Sequence, residues 1–464
     1  MAPTRPAAAA SSAARRLAYR LAIPAGALLL FAVLGLLWHW GPHALYFDVL
    51  TFFGFEPFRF PFLDIHAVLA AAQCQRQGVD VYLANPCDVL GRVHVYSPLW
   101  LAIEPGFLGI AATTPVGLGI DLLFILSLAM LIRPATRGEL LVLALAALSP
   151  MTVYALERAN SDVIVFLLIL SGCALDRAPR PWRLGCYALY LFAGLLKYYP
   201  LVLLVLVARE RQREAFAAAV LALLALLGFA GVEHADLAKA LANIPALSYF
   251  ADSFSAQNLP FGIVAAVSGA RSSRLAGVFL LSLFLLSLLA ALAIARTWRT
   301  LRLLDPAGFD WSSCEARCLP VGALLVTACF FAAQNVNYRG IYFLLAMPGL
   351  VRLYRCAGEP AIRRFLAQMI AAVLFVAWDD ALRRAARPIA AMIANDWWRL
   401  RIELLFWVGC ELAWWWLIAG LAALVLNYLV QVPRFGCSRA TLGLLQPTGG
   451  GSANNRPLGV AGRE

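Results

Sequence analysis

The sequence predicts an all-α fold, a polytopic transmembrane helix bundle of about 10–13 spans with a long first extracytoplasmic loop. Three observations carry that reading. Of the 464 residues, 62% are hydrophobic and 14% charged, at a mean hydropathy of +0.77. One water-soluble core cannot sequester that much apolar surface, so lipid must solvate much of it. Apolar runs near membrane-crossing length recur from end to end, with no soluble domain between them. The net charge of +12 lies mainly in arginines that cluster in short loops between those runs, the positive-inside pattern. That placement argues against nucleic acid as a partner.

The first apolar run, about 21–40, follows Arg15, Arg16 and Arg20. It is open to two readings, a secretory signal peptide or a retained first span, and the many spans that follow favour the second. Basic clusters assigned to the cytoplasm are Arg133 with Arg137, Arg177 to Arg183, Arg209 to Arg213, Arg296 to Arg302, Arg352 to Arg364 and the tail from Arg434. Spans then fall at about 22–40, 115–132, 139–156, 162–176, 215–231, 275–295, 319–333, 341–351, 365–378 and 403–430. A hairpin at 184–208 has limbs too short for full crossings, which predicts a re-entrant pair or broken helices. The apolar stretch 98–112 reads as interfacial, because a full crossing there would carry Arg133 and Arg137 outside. The expected organisation is one membrane domain over 21–432, with disordered cytoplasmic tails over 1–20 and 433–464.

This scheme assigns the loops 41–97, 157–161, 232–274, 334–340 and 379–402 to the outer face, and most of the polar residues that are expensive near a membrane fall in them. In the first loop, 64–77 has helical character with Ile65, Val68, Leu69 and Ala72 on one side, suited to a helix lying at the membrane surface and ending at Gly78. Asp64 at its start reads either as an N-cap carboxylate or as a general base. Cys74 and Cys87 share the loop and could pair in an oxidising compartment. The turn ALERANSDV holds Glu157, Arg158, Asn160 and Asp162, readable as a surface ion pair or as the lining of a polar cavity.

Only Lys197 and Lys239 are lysines. Lys197, in GLLKYYP with Tyr198 and Tyr199, could snorkel to the headgroups or meet a phosphate. SYFADSFSAQN and QNVNYRGIYFLL add Asp252, Gln257, Asn258, Gln334, Asn335, Asn337, Tyr338 and Arg339. Such groups suit sugar hydroxyls and phosphate oxygens, and equally interhelix hydrogen bonds. Cys314 and Cys318 have a metal-like spacing without a second ligand pair, and the five histidines show no metal spacing. The chain has no P-loop, nucleophile elbow, HExxH helix or dinucleotide fingerprint.

Taken in order, Asp64 opening a helix, Gly78, Tyr82, then Tyr96-Ser97-Pro98 entering an apolar stretch resembles the GT-C membrane glycosyltransferases. The pattern is most similar to glycosyltransferase family 87, the polyprenyl-phosphate-mannose-dependent mannosyltransferases of bacteria. ERANSDVIVFLL is similar to that family's asparagine-bearing turn, and GLLKYYPLVLL to its lysine-to-proline element; together they cover about 60–350. The usual double proline is Ser97-Pro98 here, and NVNYRGIYFLL lacks a histidine that many relatives carry.

The resemblance implies an inverting transfer of a hexose, mannose by expectation, from a polyprenyl-phosphate donor to a lipid or glycan acceptor, without metal or other cofactor. It implies Asp64 as base, Lys197, Arg339 and Tyr199 as donor or phosphate contacts, and Asn160, Asp162, Tyr82, Asn258 and Asn337 around the sugar or acceptor. It further implies an inner-membrane protein with a cytoplasmic N-terminus and an extracytoplasmic site. A flippase or transporter of lipid-linked sugars, or an inactive envelope-assembly scaffold, stands as the alternative.

Overall fold

The computed structural model describes residues 5–55, 58, 60–103, 106–176, 180–251, 253–268, 273–300, 309–392 and 395–442. The chain is an all-α polytopic membrane bundle. Among the described residues, seven helical stretches are long and apolar enough to cross a bilayer: Ala14–His39, Ile110–Leu131, Gln212–Ala242, Ser273–Arg299, Cys314–Ala332, Pro360–Ala377 and Asp396–Val430. Arg137–Ala147 and Pro150–Glu157, bent by 44° at a break before Pro150, make an eighth when taken as one span.

That count is below the 10–13 expected, and the difference lies in short buried helices. Ser161–Leu175 has 15 residues and Phe343–Cys356 has 14. At 1.5 Å per residue these rise only about 22 Å, short of the roughly 30 Å hydrocarbon core. Their middles are enclosed by protein, with Val163, Phe166, Ile169, Leu345 and Leu350 fully buried, so they need not match the lipid thickness. The outer helices are the reverse: Leu221, Leu224, Leu281 and Leu286 are all more than half exposed, a surface that only lipid would solvate.

Close helix contact in the centre uses small residues. A Cβ on Gly349 would lie 2.7 Å from the Glu315 carbonyl oxygen, and one on Gly322 2.6 Å from the Ala346 nitrogen. Cys314–Ala332 and Phe343–Cys356 therefore meet backbone to backbone, as membrane helices with little hydrophobic drive between them do.

Residues 184–208 form the expected hairpin. Arg180–Lys197 is α-helical, Tyr198 breaks it, and Tyr199–Arg209 returns as a 3₁₀ helix. The limbs are joined where the Tyr187 hydroxyl donates to the Leu206 carbonyl (3.2 Å) and to Glu210 (2.9 Å). Among its described residues, the stretch 98–112 holds the helix Leu99–Ile103, too short to cross, and a 3₁₀ turn at Ile110–Ala112 that opens the span Ile110–Leu131. The first helix packs Ile23, Ala27 and Leu34 into the bundle.

Two expectations change. Helix Leu63–Arg76 does not lie on a surface with one wet side. It is buried from Leu63 to Ala72 apart from a half-buried Ala67, because Ala70, Ala71 and Ala72 let protein approach its second face. The stretches read as disordered tails are partly helical, from Arg5 in the first helix and on to Leu442 in the last. High alanine propensity accounts for the first of these.

Candidate functional site

Helix Leu63–Arg76 is entered through Phe62 at φ 66°, a left-handed conformation unusual outside glycine. Its ring fills the notch at Gly117, where a Cβ would lie 2.5 Å from ring carbon Cγ. The Phe62 N–H donates to the Glu157 carbonyl (2.7 Å) and the Asp64 N–H to the Arg158 carbonyl (3.1 Å), so the helix start is laced to the 157–161 turn. Asp64 is delivered to that turn. Its Oδ2 accepts from Asn160 Nδ2 at 2.6 Å, and its Oδ1 faces Arg92 at 3.5 Å and Arg158 at 3.9 Å. Phe62, not Asp64, is the N-cap residue, and no side chain caps this helix.

Asn160 does cap a helix. Its Oδ1 accepts from the Asp162 N–H (2.9 Å) at the start of Ser161–Leu175, and Lys197 Nζ approaches the same oxygen at 3.4 Å. Asp162, in the first turn and with no exposed surface, is the hub. Lys197 Nζ donates to its Oδ2 at 2.9 Å, Tyr342 donates to its Oδ1 at 3.1 Å, and Tyr199 donates to Oδ1 as well. Arg339 Nε forms an ion pair with Oδ2 at 3.4 Å.

Local chain geometry explains the convergence. Pro200 has no N–H and disfavours the helical region for the residue before it, so the helix cannot continue through Tyr198 and Tyr199. The break turns both Lys197 and Tyr199 onto Asp162. Residues Asn337–Tyr342 form a 3₁₀ helix, in which positions three apart eclipse. Arg339 and Tyr342 therefore share a side and reach Asp162 together, while Asn337 points elsewhere. A two-stranded pairing, Phe254 with Asn335 and Ser253 with Val336, holds the entry to that turn, and Arg339 donates to Asn335 Oδ1.

The loop 77–98 supplies a clamp. Arg92 holds Asp88 through Nη2 (2.9 Å) and Nε (3.0 Å), donates to the Leu63 carbonyl (2.8 Å), and so arrives beside Asp64. Burial pushes the Asp88 carboxyl up, but hydrogen bonds from Arg92 outweigh it and hold the group below its ordinary value. Cys74 and Cys87 are disulfide-bonded one residue before Asp88.

Among the described residues, three non-glycine positions have positive φ: Phe62 (66°), Ala159 (41°) and Tyr198 (59°). Each lies within two residues of Asp64, Asn160, Lys197 or Tyr199. Such conformations cost on the order of 1–3 kcal/mol each and gather at functional sites.

Lys197, Tyr199 and Arg339 line a cavity of about 380 Å³, with Tyr96 and Gln334 beside them and Leu241 on its apolar wall. That is the size range of small-molecule sites, about 300–1,000 Å³. Two cations, Lys197 and Arg339, meet the Asp162 carboxylate at this wall.

Three expected residues lie apart from the Asp64–Asp162 cluster. Asn337 donates to Asp380 at 2.5 Å, away from the cavity. Asn258 belongs to a neighbouring cluster with the Ser253 carbonyl (3.0 Å), Gln334 (3.2 Å) and Glu411 (3.4 Å), touching the cavity only through Gln334. Tyr82 packs edge-on to His94 (5.3 Å), which packs on Tyr96 (5.7 Å), so it stands two rings behind Lys197. Asp252 lies outside the described residues.

Tyr342 and Arg92 are members that residue-by-residue reading misses. The signals for them are the three-residue spacing from Arg339 and the exception that an arginine in an outer loop makes to the positive-inside pattern. Compared with known proteins, the chain matches no family model, no curated protein and no solved structure.

Proposed function

We propose that the chain is an integral membrane glycosyltransferase of GT-C type, most like family 87, which transfers a hexose from a polyprenyl-phosphate donor to a lipid or glycan acceptor. One observation carries the reading: Asp64, Asn160, Asp162, Lys197, Tyr199 and Arg339 are joined in one continuous polar cluster, and Lys197, Tyr199 and Arg339 of it line a cavity. These residues come from four separate stretches of the chain.

In the proposed reaction the acceptor hydroxyl attacks the anomeric carbon from the face opposite the phosphate. The new C–O bond forms as the bond to the phosphate oxygen breaks, inverting the centre, and Asp64 takes the hydroxyl proton. Oδ1 of Asp64 is the oxygen with the looser partners, at 3.5 and 3.9 Å, and is the one assigned to the acceptor. Lys197 and Arg339, at the cavity wall, meet the departing phosphate, already a stable anion, without metal or other cofactor. The Cys74–Cys87 bridge supports an oxidising compartment for the first loop, hence an extracytoplasmic site in a bacterial inner-membrane protein.

A translocator reading draws on the helix broken at Tyr198 beside buried charges. One assay separates the two. Purified protein in detergent, given polyprenyl-phosphate mannose and envelope lipid, is expected to form a covalent mannosyl product; a flippase forms none. Asp64→Asn is expected to reduce transfer by about 10²–10⁴-fold with the fold retained. Full activity in that variant removes Asp64 from the chemistry.

A further inference from the structure

A second cavity, of about 360 Å³, lies between the first helix and the helix Thr113–Leu131. Its walls are apolar, with Leu28 and Phe31 on one side and Leu118 and Leu122 on the other. Leu28 and Leu118 are half exposed, so the cavity opens sideways to lipid. Two carboxylates lie within it, Asp121 and Glu157. Those of Glu157 are answered: Tyr46 donates to Oε1 at 3.3 Å, and Arg158 Nε lies 3.1 Å from Oε2. Asp121 is 4% exposed, and neither of its oxygens has a hydrogen-bond partner among the described residues. No lysine or arginine lines the cavity.

A buried, unanswered carboxylate within a membrane span is retained where a ligand or a partner uses it. We infer that this groove is a binding site for an amphiphile with a primary ammonium head, its alkyl chain on the leucine walls and its N–H groups on Asp121. Charge complementarity selects the head: Glu157 is already paired with Arg158, and the one unanswered carboxylate, Asp121, is matched by a single ammonium, which neither a phosphate nor a hydroxyl supplies. The Trp38 and Tyr46 rings, 5.2 Å apart on the wall, add faces that attract a cation. None of Asp64, Asp162, Lys197 or Arg339 lines this groove, so the inference is independent of the glycosyl-transfer proposal.

The test uses the full chain in phosphatidylcholine nanodiscs, measuring retention of hexadecylamine and hexadecanol above that of empty discs. Wild type is expected to retain the amine and not the alcohol, and Asp121→Asn to weaken amine retention by about tenfold or more. Gly35→Phe gives a second arm. Gly35 lines the groove and a Cβ there meets nothing within 4 Å, so the ring can occupy the space without displacing the helix. It is expected to abolish amine retention at an unchanged unfolding temperature. Equal retention of amine and alcohol, or amine retention undiminished in either variant, overturns the assignment.

Discussion

Asp162 has no exposed surface, yet four side chains meet its carboxylate: Lys197, Arg339, Tyr199 and Tyr342. Removing one partner of a buried ion pair leaves the other charge uncompensated, at about 3–5 kcal/mol. Asp162→Ala strands two cations at once and is expected to lose at least that much, read as a fall in thermal unfolding temperature. Asp162→Asn, which keeps the shape and part of the hydrogen bonding, is expected to lose less. An alanine variant as stable as wild type would show that the carboxylate is not what holds the cluster.

His94 makes a separate residue-scale prediction. Burial lowers its pKa from 6.5 to about 4, with a backbone hydrogen bond at Ser97 opposing the shift. The unfolded chain thus binds the proton that the folded loop refuses, so stability falls as pH drops from about 6.5 toward 4 and is complete above that window. A pKa held near 4 in place of 6.5 corresponds to on the order of 3 kcal/mol. Wild type is expected to lose more unfolding temperature between pH 7 and pH 4.5 than His94→Phe, which keeps a ring beside Tyr82 and Tyr96 but cannot titrate.

Elements show how local chemistry becomes site geometry. The disulfide closes a 13-residue separation next to the Asp88–Arg92 clamp, which in turn positions Arg92 at Asp64. Opening a loop of that size releases about 3 kcal/mol of constraint on the unfolded chain. The double variant Cys74→Ser, Cys87→Ser is expected to unfold at lower temperature, and its transfer activity to fall beyond what the lost stability explains, because Arg92 is no longer held. Unchanged stability would show that the bridge does not form in the mature protein.

The same elements show what the sequence makes legible. Asp64, Asn160, Asp162, Lys197 and Arg339 can be picked out because polar groups among apolar runs are costly and are kept for a reason. Asn258 and Asn337 give an identical signal and answer to Glu411 and Asp380 instead, since residue type and sidedness do not specify which partner a turn will face. The 3₁₀ geometry of 337–342 decides that, and no residue in NYRGIY announces a three-residue repeat over an α-helical one. Span number misleads for a related reason: hydropathy registers Ser161–Leu175 and Phe343–Cys356 as apolar without telling burial in protein from burial in lipid.

At the scale of the whole molecule, charge sorts to two ends. Helix Ser161–Leu175 carries Asp162 in its first turn and is followed by Asp176, which pairs with Arg209. Those ends are about 22 Å apart along the axis. Helix Phe343–Cys356 repeats the polarity, following Tyr342 of the cluster and ending beside Arg355, which pairs with Glu139 at 3.1 Å. The arginine-rich end and the Asp64 cluster therefore occupy opposite ends of the bundle, and an outer-face cluster is the orientation that the positive-inside expectation predicts. Single reporter cysteines can test this, with the partly exposed Cys314 and Cys356, and Cys437 near the C-terminal end, replaced by serine. Leu83, 72% exposed in the first loop, and Gln212, exposed beside the Arg209–Arg213 cluster, are suitable positions. A membrane-impermeant maleimide added to intact cells is expected to label Leu83→Cys and spare Gln212→Cys, and inverted vesicles to give the reverse. Labelling of both from one side would break the link between arginine bias and orientation; reversed labelling would put the cavity in the cytoplasm, where a disulfide-braced loop has no oxidising environment to form in.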